Sequence, residues 1–151
     1  MNKEPVVFIN GEILPVSKAA ISPFDRGFRW GDAVYDVERT YKGEIFKLRK
    51  HMERLYRSLN YTRINPNLSL EQMEQAILRV LDINRDFLGT NDDYLVTQVV
   101  SRGVIWPKDQ VGIPTVAIYC DPIPFVDFAH RYIEGIRIIT PSTRRTPPQS
   151  L

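Results

Sequence analysis

The chain has 151 residues, 43% of them hydrophobic and 25% charged, with a formal net charge of +2. That balance is ordinary for a globular protein and gives no case for a nucleic-acid or membrane partner. No apolar run approaches the roughly 20 residues that span a bilayer, and the single cysteine, Cys120, excludes an intrachain disulfide and fits a reducing, cytoplasmic compartment.

Val6-Val7-Phe8-Ile9 and Glu12-Ile13-Leu14 flank Asn10-Gly11, which predicts a tight hairpin that Pro15 ends. Residues 17–33 read as a loop in which Gly27 and Gly31 bracket charged and aromatic side chains. Runs from Val34 to Tyr41 and from Glu44 to Leu48 predict a second hairpin around Lys42-Gly43. Leu48, Met52, Leu55, Tyr56 and Leu59 recur at helical spacing, so a helix is expected from Leu48 to about Thr62. Asn65-Pro66-Asn67 breaks the chain. Ser69-x-x-Gln72 then reads as a capping box opening a second helix to about Asn84, with Leu70, Met73, Ile77, Val80 and Leu81 as its stripe.

Gly89 and Asn91-Asp92-Asp93 predict a turn before a strand from Tyr94 to Ser101, which Gly103 stops. Trp106-Pro107-Lys108 reads as loop and Thr115 to Cys120 as a strand. Asp121-Pro122-Ile123-Pro124 reads as a linker, because closely spaced prolines suit neither a helix nor a central strand. Ile136 to Thr140 is expected to begin another strand, and residues 141–151 are polar and irregular. Hairpins, two adjacent helices and then more strands indicate an α+β fold, a largely antiparallel sheet with two helices on one face.

Several side chains have two readings. Arg54 lies off its helix stripe: it is either a solvated arginine or an anion ligand, since a guanidinium fork matches phosphate. Tyr35, Val37 and Arg39 share one strand face by period two. They are either core and surface residues or the wall of a pocket. Arg102 sits at a strand end, where binding residues concentrate. Asp25, Arg26 and Asp32 are expected to form an ion-pair network holding the loop, His51 to support the helix start, and Cys120 to be a small core residue. His51, His130 and Cys120 lack zinc-ligand spacing, so no metal is expected.

Asp25-Arg26-Gly27-x-x-x-Gly31-Asp32-x-Val34-Tyr35-Asp36, followed by Phe46-x-Leu48-x-x-His51-x-x-Arg54-Leu55-x-x-Ser58, resembles the two motifs of the class IV aminotransferases. These are the fold-type IV pyridoxal phosphate enzymes. The resemblance implies transamination between an amino acid, of branched-chain or D type, and a 2-oxo acid, by a homodimer using pyridoxal 5′-phosphate. It implies that Arg54 binds the cofactor phosphate and that Tyr35, Val37, Arg39 and Arg102 lie toward the substrate. In D-amino-acid relatives an arginine and a histidine follow in the loop that here reads Val104-Ile105-Trp106-Pro107-Lys108, and this chain has neither.

The family also needs a lysine that binds the cofactor covalently. None of Lys3, Lys18, Lys42, Lys47, Lys50 and Lys108 stands at its place, which would follow Arg145-Thr146-Pro147-Pro148-Gln149-Ser150-Leu151. The resemblance therefore implies no catalytic residue within this chain. It implies an amino-terminal domain over residues 1–120, a linker over 121–131, and the opening of a carboxy-terminal domain over 132–151. An aminodeoxychorismate lyase on the same scaffold and a non-catalytic interaction domain are the alternatives.

Overall fold

The computed structural model describes residues 4–87 and 92–143. Two hairpins lead: β1 (Val6–Ile9) with β2 (Glu12–Pro15), and β3 (Ala33–Tyr41) with β4 (Glu44–Ile45). A short helix, α1 (Arg26–Trp30), lies between them. Helices α2 (Leu48–Thr62) and α3 (Leu70–Asn84) come next, then β5 (Tyr94–Ser101), β6 (Thr115–Pro122) and α4 (Phe125–Glu134). The strands form one sheet in the order β2-β1-β6-β5-β3-β4, with every neighbour antiparallel. The α+β expectation holds.

Local chemistry explains the elements that sequence reading finds. Asn10 and Gly11 both take positive φ, 49° and 100°, as a two-residue hairpin turn demands. Ser69 and Gln72 make the reciprocal capping box, with bonds of 3.2 and 2.7 Å. Met52, Leu55 and Leu59 of α2 and Met73, Ile77, Val80 and Leu81 of α3 are buried against Val96, Val100 and Ile118 of the sheet. Each large apolar side chain so buried contributes roughly 1.5–3 kcal/mol. Buried Asn84 stitches the end of α3 to β1 by exchanging two 2.8 Å bonds with the Val6 backbone.

Five features differ from expectation. The supposed loop contains α1, because Asp25 caps it through Gly27 N and Phe28 N. Strand β4 stops after Ile45, before Lys47 turns left-handed at φ 54°. Strand β6 runs through Asp121 to Pro122, which sits opposite Tyr94 at the strand's last position, where a proline disturbs least. The segment read as irregular linker instead ends β6 at Pro122 and enters α4 at Phe125. Ile136–Thr140 forms no strand: no described strand lies beside it, and Ile136, Ile138 and Ile139 are exposed. The predicted turn residues Gly89 and Asn91 lie outside the described residues, as do Lys3 and the Arg145–Leu151 segment.

The sheet presents two unlike faces. Asp36, Glu38 and Thr40 of β3 are buried on the face that α2 and α3 cover, alongside Val96 and Val100. Tyr35, Val37 and Arg39 take the opposite face, beside Val99, Thr97 and Leu95 of β5. Strand β4 pairs with β3 only at Thr40 and Tyr41. Among the described residues, the outer edge of β3 before that point has no strand partner.

Candidate functional site

Period-two alternation sends Asp36 and Glu38 toward α2, where His51 and Arg54 meet them. Asp36 accepts from Arg54 Nε at 2.7 Å and from Arg54 Nη2, and its Oδ1 lies 2.9 Å from His51 Nδ1. The pairing requires the His51 proton on Nδ1. Asp36 is only 3% exposed, whereas the Arg54 side chain is 58% exposed. The guanidinium is thus held from inside and offered outside. Burial opposes the Asp36 charge, but the bonds from Arg54 and His51 outweigh it and keep the carboxyl below the usual carboxylate range.

Glu38 is buried more deeply. Its Oε1 accepts from Gln98 Nε2 at 2.9 Å, while Glu38 Oε2 and Gln98 Oε1 have no partner. Burial, reinforced by the neighbouring Asp36 charge, pushes the Glu38 carboxyl up to about 8. One polar side-chain atom each from Asp36, Glu38 and His51 lies within 4.8 Å of the others. Arg54 already spans both Asp36 oxygens and supplies the positive charge there. Above the cluster, Lys47, Lys50, His51, Glu53, Arg54 and Arg57 line a cleft of about 320 Å³. One acid among five cationic or imidazole side chains gives it a basic lining.

On the uncovered face, Tyr35 is 70% exposed, so it is no core aromatic. The Arg39 guanidinium stacks 4.0 Å over the Tyr41 ring and 5.4 Å from Phe125 of α4. Its Nε donates to Thr40 O at 3.2 Å, and its Nη2 lies 3.8 Å from Asp93. Arg102 is placed elsewhere. It donates to Asp32 at 3.0 Å, to Arg63 O at 2.9 Å and to Thr62 O at 2.8 Å, clamping the end of α2 to the loop before β3. Asp32 joins Arg102 to Arg26 and is held below the usual range, first by the Arg102 bond.

Asp25 does not pair with Arg26 as the sequence suggests. It is 2% exposed and accepts from Gly27 N, Phe28 N, Ser101 Oγ and Thr115 Oγ1. His51 turns to β3 rather than capping its own helix. Lys108 is exposed in a short turn. Cys120 packs against the core, and burial pushes its thiol up to about 12. Sequence reasoning missed Asp36 and Glu38 as site residues. The available signal was their alternation with Tyr35, Val37 and Arg39 opposite a helix bearing His51 and Arg54.

The family model for amino-transferase class IV matches residues 33–151. A putative branched-chain-amino-acid aminotransferase of Methanocaldococcus jannaschii is 35% identical over 145 residues, covering 93% of this chain and 47% of that protein. The D-alanine aminotransferase of Bacillus licheniformis is 35% identical over 120 residues, covering 78% of this chain and 41% of that one. A hypothetical aminotransferase from Mycobacterium tuberculosis, solved in its PLP-bound form, superposes with a TM-score of 0.68 at 22% identity, over 84% of this chain and 43% of that one. The chain spans less than half the length of each of these proteins.

Proposed function

Since the chain belongs to the class IV aminotransferases, we propose that it supplies the amino-terminal half of a pyridoxal phosphate-dependent enzyme. That enzyme moves an amino group between an amino acid, of branched-chain or D type, and a 2-oxo acid. The observation that carries the proposal is Arg54, fixed by the buried Asp36 and exposed over a basic cleft. A dianionic phosphate suits that cleft, because a charge-assisted bond is stronger than a neutral one.

Within this reading each residue has a task. Arg54 binds the cofactor phosphate, and Asp36 and His51 orient the guanidinium. Tyr35, Val37 and Arg39 form one wall of the substrate pocket, with Arg39 already steadied by Tyr41 and Phe125. Arg102 is reassigned from substrate binding to clamping, since Nε, Nη1 and Nη2 are all engaged. When bound, pyridoxal phosphate supplies the electron sink for bond-breaking at the amino-acid carbon. The covalent lysine belongs to the carboxy-terminal half.

The domain boundary falls in residues 121–131, and a second body begins near residue 132. The exposure of Ile133, Ile136, Ile138 and Ile139 supports this, since such apolar clusters mark surfaces that pack against something. Phe28 and Trp30, 76% and 57% exposed beside the site loop, support a homodimer of the complete protein, and the lone free Cys120 fits a cytoplasmic setting.

The test is Arg54→Ala in the complete protein. Pyridoxal phosphate affinity, followed by cofactor absorbance, is expected to fall at least tenfold, with Arg54→Lys intermediate. An unchanged dissociation constant overturns the assignment. An amino-donor panel containing branched-chain L-amino acids and D-alanine then reports the substrate.

A further inference from the structure

Glu38 is a fully buried carboxyl beside the Arg54 clamp, and no cation bonds to it among the described residues. We propose that Glu38 is a positioning residue that carries a proton at neutral pH, leaving Asp36 as the single negative charge against Arg54 and keeping the outer side of that guanidinium available to an anionic ligand. The proton on Glu38 stands on its own observations. The consequence for the ligand rests on the reading of Arg54 as a phosphate-binding residue.

The first observation concerns hydrogen bonds. Glu38 and Gln98 share one bond of 2.9 Å, from Gln98 Nε2 to Glu38 Oε1. The remaining two oxygens, Glu38 Oε2 and Gln98 Oε1, are both buried and both lack a donor. Buried polar atoms are almost always satisfied. A proton on Glu38 Oε2 turns that oxygen from an unmet acceptor into a donor, and of the pair only Glu38 can take one up. His51 Nδ1 cannot serve: it lies 4.0 Å from Glu38 Oε2 and is committed to Asp36 at 2.9 Å.

The second observation concerns charge. Charged and polar side chains reach Glu38 from four elements. Its own strand contributes Asp36, α2 contributes His51 and Arg54, β5 contributes the neutral Gln98, and β6 contributes Cys120, a thiol that burial keeps protonated. One guanidinium therefore faces two carboxyls. Were both ionised, the excess charge would draw Arg54 and His51 inward and compete with any anion in the cleft. Burial and the Asp36 charge both hold the proton on Glu38, and release near pH 8 sets where that competition begins.

The experiment uses the complete protein and three measurements. Carbon-13 NMR of glutamate-labelled wild type is expected to show one carboxyl that titrates far above the others and disappears in Glu38→Gln. The absence of any such outlier in wild type overturns the proposal without need of a variant. Affinity for pyridoxal phosphate and for inorganic phosphate is then measured from pH 6.5 to 9.5 in wild type and Glu38→Gln. The ratio of the two proteins cancels titration of the ligand. Wild type is expected to lose about tenfold relative to Glu38→Gln across that range, the scale of one added charge a few ångströms away. A constant ratio, with Arg54→Ala still lowering affinity at least tenfold, overturns the positioning role and leaves the phosphate reading intact. Unchanged binding in Arg54→Ala overturns both, while the NMR titration still decides the protonation of Glu38.

Discussion

Replacing Asp25 by alanine removes one carboxylate that joins three elements. Its oxygens accept from Gly27 N at 2.7 Å and Phe28 N at 3.2 Å in α1, from Ser101 Oγ at 2.7 Å at the end of β5, and from Thr115 Oγ1 at 2.6 Å at the start of β6. Loss of the helix cap alone costs about 1 kcal/mol. Stranding the buried Ser101 hydroxyl costs about 1–3 kcal/mol, and the half-buried Thr115 hydroxyl less because water reaches it. The hydroxyls rotate toward other acceptors and the contributions overlap, so the total is about 3–5 kcal/mol rather than the full sum. Asp25→Asn keeps one acceptor oxygen and should cost about half as much. Urea unfolding followed by circular dichroism measures the loss, with an unchanged denaturant slope confirming that only stability moved. Amide exchange at Gly27 and Phe28 should accelerate in parallel. A cost below about 1 kcal/mol for Asp25→Ala would refute the view that this carboxylate holds the loop.

Gly103→Ala should be the most damaging small change: φ is +79° and an added Cβ would lie 1.7 Å from Ile113 O, so the melting temperature should collapse or the protein fail to accumulate. Glu38 keeps its proton in the folded state up to about 8, against an ordinary value of 4.5, so the folded state binds the extra proton between those limits. Stability contributed below pH 4.5 is therefore lost progressively as pH rises to about 8. Glu38→Gln should lack that decline and gain up to about 5 kcal/mol at pH 8, and parallel stability–pH curves for the two proteins would count against it. Cys120, half-buried and with its thiol raised to about 12, should be alkylated slowly in the folded protein at pH 8 and faster on unfolding. Labelling as fast in the native as in the unfolded protein would contradict the raised thiol.

Sequence pattern reveals the parts of the fold whose signals are local. Asn10-Gly11, the α2 and α3 stripes and the Ser69–Gln72 box each declare themselves within a few residues. Helix α1 is too short to show a period, and its cap is one aspartate among several acids. The run Ile136–Thr140 has strand composition, but a strand exists only through a neighbour, and among the described residues none is beside it. The same contrast holds at the site. Arg54 could be singled out by its place in a motif. Its anchor Asp36 stands 18 residues away and the Gln98 partner of Glu38 stands 60 away, so the pairs exist only once the sheet has formed. Arg102 is the instructive miss. A strand-end arginine suggests a ligand, yet the unpaired carbonyls at the end of α2 claim its donors.

The two faces of β3 also bear on how such a strand can change over generations. Tyr35, Val37 and Arg39 meet the open side, and Asp36 and Glu38 meet the helix side. Point mutation at the first set leaves the second packed as before, so new side chains can be tried there at little risk to the charged cluster. Insertion or deletion of a single residue has no such latitude. It would exchange the two sets, put apolar and aromatic groups against Arg54, and expose both acids together. Descendants of this chain can therefore diversify along β3 by replacement, while shifts of reading along the strand are eliminated.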